Sequence, residues 1–181
     1  GLALAAAPAW AAIYYVAPPA DGGSNANPGT ASLPWATLQH AANNLFPGDT
    51  VIVAPGIYAG FNAVRSGTSA APITYSGLPG AHINAAAAPH NGTNHRSRVN
   101  LDTVSWMIVE GFEITGTNDL RNSQEGVRIV SPLNAGAGHI TIRHNHIHHN
   151  GNRNILTGFV SDLVIEHNVC HHAYREHGIY V

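Results

Sequence analysis

Residues 139–147, His139-Ile140-Thr141-Ile142-Arg143-His144-Asn145-His146-Ile147, return 23 positions later as Asp162-Leu163-Val164-Ile165-Glu166-His167-Asn168-Val169-Cys170. A third, looser copy is Val109-Glu110-Gly111-Phe112-Glu113-Ile114. Short apolar runs lie between the copies: Gly126-Val127-Arg128-Ile129-Val130, residues 155–160 and Gly178-Ile179-Tyr180-Val181. A unit this short, alternating with period two, cannot enclose a core alone. Stacked at about 4.8 Å between strands, successive units bury their apolar side chains in one continuous column. The expected fold is therefore all-β, a solenoid of short parallel strands.

The offset predicts a register. Ile140 stacks on Leu163 and Ile142 on Ile165, facing inward. Arg143 faces outward with Glu166 on one neighbouring coil and Glu110 on the other, a ladder of alternating charge. Asn145 meets Asn168 at a bend. His144 and His167, His148 and His171, and His149 and His172 each lie one strand spacing apart, where neighbouring imidazoles disfavour double protonation and lower the pKa.

The first 58 residues read differently. Residues 1–12, GLALAAAPAWAA, resemble the tail of a secretory signal peptide with small residues suited to cleavage. Ile13-Tyr14-Tyr15-Val16 is a short strand, followed by a turn-rich loop. Ser32 stands as a helix N-cap with Pro34 in the first turn. Trp35, Leu38, Ala41, Ala42 and Leu45 recur at helical spacing, and Pro47-Gly48 ends the helix. Thr50 to Val53 is a strand, Ala54-Pro55-Gly56 a turn, and Ile73 to Tyr75 another strand. The organisation is a leader remnant at 1–12 and a β-helix domain at 13–181. Its N-terminal cap spans about 13–58, and coils run from about 59 onward, left incomplete at the C-terminal end.

Charged residues make up 10% of the chain and the net charge is −2, which gives no basic surface for nucleic acid. No apolar run reaches the ~20 residues a membrane-spanning helix needs. The single Cys170 does not fix a redox compartment. All eight basic residues are arginines, so a lysine base is absent. Asn91-Gly92-Thr93 has the form of a glycosylation sequon. Nothing in the chain suggests a dedicated protein partner.

Several motifs occur in a telling order: Tyr14-Tyr15-Val16, Asn27-Pro28-Gly29-Thr30, Pro34-Trp35-Ala36-Thr37-Leu38, Pro47-Gly48-Asp49-Thr50-Val51 and Pro55-Gly56-Ile57-Tyr58. Ala71-Pro72-Ile73-Thr74-Tyr75, Val109 to Ile114 and His177-Gly178-Ile179-Tyr180-Val181 continue the series. The set resembles the right-handed parallel β-helix proteins of the pectate-lyase-like superfamily. The resemblance implies a right-handed solenoid with a short N-terminal capping α-helix, export from the cell, and a polysaccharide partner. It implies a polysaccharide lyase acting by β-elimination on a uronate-containing polymer. The alternatives are a non-catalytic carbohydrate-binding or surface β-helix and a uronate epimerase. It also raises calcium as a cofactor, although Asp102, Asp119 and Asp162 are scattered as turn residues are and form no acidic cluster.

Abstracting the proton α to a uronate carboxylate needs a base and a cation to hold the developing enolate. Arg175, His177, His172 and Arg143 are the residue types that can serve, with Arg175-Glu176-His177 the densest group. Arginine, with a pKa above about 12, suits the neutralising role. A second possibility is a metal site built from His146, His148, His149, His171, His172 and His177, with Cys170 and Glu176 nearby. The competing account is that histidine recurs at polar bends because the coil recurs. Trp35, Trp106, Tyr58 and Tyr174 are candidates for stacking on sugar rings, Trp35 also for packing the helix on the first coil.

Overall fold

The computed structural model describes residues 11–87, 96–116, 125–133 and 135–181. Nearly all of the expected leader, the sequon and Asp119 lie outside the described residues.

Among the described residues the strands form three parallel sheets. Sheet A runs β1 (Ile13–Val16), β2 (Thr50–Val53), β5 (Ile73–Gly77), β8 (Met107–Glu110), β11 (Gly138–Arg143) and β14 (Ser161–Glu166). Sheet B runs β3 (Gly56–Ala59), β6 (Ala81–Ala85), β9 (Glu113–Thr115), β12 (His146–His148) and β15 (Val169–His171). Sheet C runs β4 (Phe61–Asn62), β7 (Val99–Asn100), β10 (Val127–Val130), β13 (Ile155–Gly158) and β16 (Ile179–Tyr180). From β2 onward each turn of the chain visits A, B and C in order. This is a parallel β-helix.

Period-two alternation turns every second side chain into the coil, where register stacks it on its counterparts. In sheet A one column is Ile73, Met107, Ile140 and Leu163, and another is Val51, Tyr75, Val109, Ile142 and Ile165. Sheet B contributes Tyr58, Ile83, Ile114, Ile147 and Cys170. Sheet C contributes Phe61, Val99, Val127, Ile155 and Ile179. The Phe61 and Tyr75 rings join two of the columns, stacked at 4.3 Å. Burying each large apolar side chain is worth about 1.5–3 kcal/mol. The column is the core.

The predicted register holds. Ile140 pairs with Leu163, Ile142 with Ile165, and Arg143 with both Glu166 and Glu110. Asn145 Nδ2 donates to Asn168 Oδ1 at 3.1 Å, and the Asn145 backbone N–H donates to the same oxygen at 3.0 Å.

The N-terminal helix is shorter than expected. Helix α1 spans Leu38–Asn44, and its N-cap is Thr37, whose Oγ1 accepts from the His40 N–H at 3.1 Å. Ser32 and Pro34 lie outside it. The reason is that the Trp35 backbone is already used as a bridge beside Val16, its N–H donating to Tyr15 O and its carbonyl accepting from Ala17 N–H. The Trp35 ring stacks on Tyr14 at 4.5 Å, so Trp35 packs the first coil and is not open to a sugar. Leu38, Ala41, Ala42 and Leu45 bury the helix face against the core cluster. The turn expected at Ala54-Pro55-Gly56 overlaps the start of β3, and β4 and β6 carry no signal in the sequence long enough to announce them.

Candidate functional site

A groove of about 490 Å³ lies on the outer face of sheet C. Its floor follows from the register. Asn62 on β4, Asn100 on β7 and Arg128 on β10 are successive Cα partners, and each points outward because its neighbour in sequence fills the core. The rim includes Asp102, Ser131 and Phe159.

Two features set this groove apart from ordinary surface. Asn100 Nδ2 donates to Asn62 Oδ1 at 2.7 Å, while Asn100 Oδ1 and Ser131 Oγ are buried without a hydrogen-bond partner. Buried polar atoms in proteins are nearly always paired, and these two belong to residues that line the groove. Beside them Phe159 is 66% exposed, a flat apolar face of the kind that stacks on a sugar ring. Arg128 gives the floor a cation. Its Nε donates to Asp102 Oδ2 at 2.9 Å, and Asp102 Oδ1 accepts from the Val130 N–H at 2.9 Å. Asp102 therefore positions the guanidinium.

The four residues expected to carry chemistry are spread around the coil. Arg143 is on sheet A, its Nε donating to Glu110 Oε2 at 2.7 Å. His172 follows β15 and stacks on His149 at 4.7 Å. Arg175 and His177 are exposed on the segment before β16, where His177 lies 5.6 Å from the Tyr180 ring. Their neighbour Glu176 pairs with Arg153, whose other partner is the buried Glu125. None of the four lines the groove. Sequence reading missed Asn62, Asn100, Arg128 and Phe159. The only signal for the first three was their place beside inward-facing residues in strands as short as two residues.

The aromatic candidates divide in the same way. Tyr58 is buried, donates to Ala54 O at 2.9 Å, and its phenol is pushed up to about 12 by burial with Asp21 nearby. Trp106 stacks on His139 at 3.8 Å. Tyr174 is exposed.

The histidine pairs stack as the offset requires. Ring centroids are 5.0 Å apart for His144 and His167, 4.8 Å for His148 and His171, and 4.7 Å for His149 and His172. His144, His149, His167 and His172 have φ of 55°, 53°, 53° and 50°. This left-handed region is one that histidine enters several-fold more often than most residues, so these four occupy bends. Gly111, with φ of 79°, holds the same bend in the third copy. His146, His148 and His171 are different. They stand on the strands β12 and β15, alongside Glu113 of β9.

On that face His146 Nε2 lies 2.8 Å from His171 Nε2, and His148 Nδ1 lies 2.6 Å from His149 Nδ1. His148 Nε2 lies 3.2 Å from Glu113 Oε1. The pKa of His148 is lowered chiefly by burial and further by the surrounding imidazoles, against the raising effect of Glu113. That of His171 is lowered by desolvation and by His172, His146 and His149. Cys170 does not join the group. Its side chain continues the inward column below Ile147, and burial pushes the thiol up to about 11.

Calcium does not fit the described residues. It takes six to eight oxygen ligands. Here Asp102 is engaged by Arg128, Glu110 by Arg143 and Glu125 by Ser97, Asn152 and Arg153. Asp49 accepts from the backbone N–H groups of Ala12 and Phe46.

No family model matches the chain. It is 28% identical over 136 residues to the uncharacterized protein YwoF of Bacillus subtilis, an alignment covering 74% of this chain and 28% of that protein. Among solved structures, the pectate lyase Pel9A superposes with a TM-score of 0.68 at 19% identity, over 92% of this chain and 41% of that one. The GH136 lacto-N-biosidase of Eubacterium ramulus gives 0.63 at 17%, over 86% and 34%. A rhamnogalacturonan lyase gives 0.56 at 24%, over 76% and 36%. The chain thus spans less than half the length of each of these four proteins. What it shares with the three solved structures is the parallel β-helix fold.

Proposed function

We propose that this chain belongs to a secreted, carbohydrate-active β-helix protein that lays a uronate-containing polysaccharide along the outer face of sheet C. Right-handed winding and a capping role for α1 are part of the proposal. Parallel crossovers are almost always right-handed, and α1 buries its apolar face on the core cluster beside the first coils. Export is supported by the alanine-rich run at residues 1–12.

The observation that carries the reading is the make-up of the groove: Asn62, Asn100, Ser131, Arg128 and the exposed Phe159 ring line one cavity. Amide and hydroxyl side chains suit a glycan's hydroxyls, the aromatic face stacks on a pyranose, and the cation suits a uronate carboxylate. The three proteins of shared fold are named for acting on glycans, which supports the same class of partner.

β-Elimination is the second reading, and Arg128 is the observation that favours it, as the group that would neutralise the carboxylate while a proton leaves the adjacent carbon. Among the described residues, the groove lining holds no lysine, histidine or tyrosine to take that proton. Binding is thus the activity that the described residues support best.

Affinity electrophoresis in gels containing polygalacturonate, rhamnogalacturonan, alginate or a neutral glucan tests this. The expected result is retardation by at least one uronate polymer, weakened at least tenfold by Phe159→Ala and by Arg128→Ala with far-UV circular dichroism unchanged. Equal mobility in every gel, or retardation that neither substitution alters, would sink the proposal.

A further inference from the structure

We propose that His148, His149 and His171 bind one borderline transition-metal dication, zinc above the others, with Glu113 orienting His148 from the opposite side. These residues come from three successive coils, β9, β12 with its following bend, and β15. The site is separate from the groove on sheet C.

The bend accounts for four histidines and leaves three unexplained. A left-handed φ rationalises His144, His149, His167 and His172. His146, His148 and His171 sit on strand positions, where any polar residue could face outward, and yet their ring nitrogens converge with those of the bend. One ligand atom each from His148, His149 and His171 lies within 4.8 Å of the other two, and the same holds for Glu113, His146 and His148. Zinc–imidazole bonds of about 2.0–2.1 Å put tetrahedral donors roughly 3.3 Å apart. The present spacing of 2.6 Å between His148 and His149 needs to open by only a few tenths of an ångström on each side.

Glu113 decides between the two sets. It lies on the Nε2 side of His148 and His149 on the Nδ1 side. A neutral imidazole has a lone pair on one nitrogen and a proton on the other. When Nδ1 ligates, Nε2–H donates to the Glu113 carboxylate, the arrangement that fixes the tautomer and raises the basicity of metal-bound histidines. The two sets share His148 and exclude each other unless the ring becomes an imidazolate. One ion per chain follows. Three imidazoles leave a position open for water or an anionic ligand, and this donor set favours zinc, copper or nickel over calcium or magnesium.

The experiment is zinc titration of the chelator-treated polypeptide by calorimetry, with metal content measured after dialysis. The expected stoichiometry is one zinc per chain, with neither calcium nor magnesium competing. His148→Ala and His171→Ala should abolish binding, and His149→Asn, which tolerates the left-handed bend, should weaken it at least a hundredfold. Glu113→Gln should weaken it by roughly 10–100-fold without abolishing it, as loss of an orienting carboxylate does. The stacked pair outside the set is the control: His144→Asn with His167→Asn should bind as the parent does. Circular dichroism of each metal-free variant checks that the coils remain folded. Undiminished zinc binding in His149→Asn, complete loss in Glu113→Gln, or no saturable binding by the parent would each overturn the proposal. Groove variants such as Phe159→Ala should bind zinc normally, so this site and the polysaccharide reading stand or fall separately.

Discussion

A single bend shows how much one residue can decide in a repeated coil. Asn145 is fully enclosed and uses its amide in both directions: Oδ1 accepts from the Phe112 N–H at 3.0 Å, and Nδ2 donates to Val109 O and to Asn168 Oδ1. Asn168 repeats the move, with its Nδ2 donating to Ile142 O at 2.8 Å. The ladder satisfies backbone groups that the bend withdraws from the sheets. Asn145→Leu removes these partners while leaving the buried backbone groups in place. The expected loss is about 1–3 kcal/mol for each stranded group, read as a fall in the urea midpoint. A midpoint unchanged by the substitution would show that water replaces the amide. Gly111 occupies the preceding position of the same bend one coil earlier. Its φ is 79°, and an added Cβ would lie 2.2 Å from Gly77 O. Gly111→Ala should therefore cost more than an ordinary surface substitution, and thermal melting measures it. The asparagine pair was legible because both copies of the motif carry it. Asn100 was not, because an asparagine in a two-residue strand looks like any turn residue until its neighbours in space are known.

At the level of elements, the repeat was legible where the coils have equal length and lost where they do not. Thr141 and Val164 are register partners 23 residues apart, whereas Ile108 and Thr141 are 33 apart and Thr74 and Ile108 are 34. The strand register is kept across these unequal intervals, since lengthening a loop costs little. Fixed-offset comparison therefore aligns only the last two coils, and the earlier strands that were read came from local alternation and from the looser copy at residues 109–114. Strands β12 and β15 carry a second consequence. The lowered pKa values of His148 and His171 mean that the folded state binds fewer protons there than the unfolded chain, whose histidines titrate near ~6.5. Stability from this source is complete above that pH and declines as pH falls below it toward the lowered folded values. Melting temperatures of the metal-free polypeptide should fall between neutral and mildly acidic pH, and His148→Ala with His171→Ala should flatten that slope. An equal slope in parent and double variant would assign the acid sensitivity to other groups.

Across the whole molecule, the apolar column is not equally closed along its length. Ile140 and Ile142 are fully buried, while Leu163 and Ile165, their register partners on β14, are only half-buried. β14 is the last strand in the order of sheet A within these residues, and a polypeptide of these residues alone would leave one side of it without a partner strand. Phe159, Val160, Leu163, Ile165, Ile179 and Val181 line a hollow of about 590 Å³ on that side. Soluble β proteins cover or charge such edges, because an open strand above an apolar face recruits another strand. A polypeptide of these 181 residues should therefore self-associate as its concentration rises, seen in light scattering after sizing. Ile165→Lys, which sets a charge in the half-buried column, should shift it toward monomer while leaving the circular dichroism of the remaining coils intact. The zinc site lies one sheet away on the same coils, so zinc should raise the melting temperature, and Ile165→Lys should preserve that gain. A parent that stays monomeric at every concentration would mean that the hollow closes on itself in solution, with Phe159 and Val181 folding over Leu163. Phe159 would then be withdrawn from the groove on sheet C, and polysaccharide retardation would be lost along with the self-association.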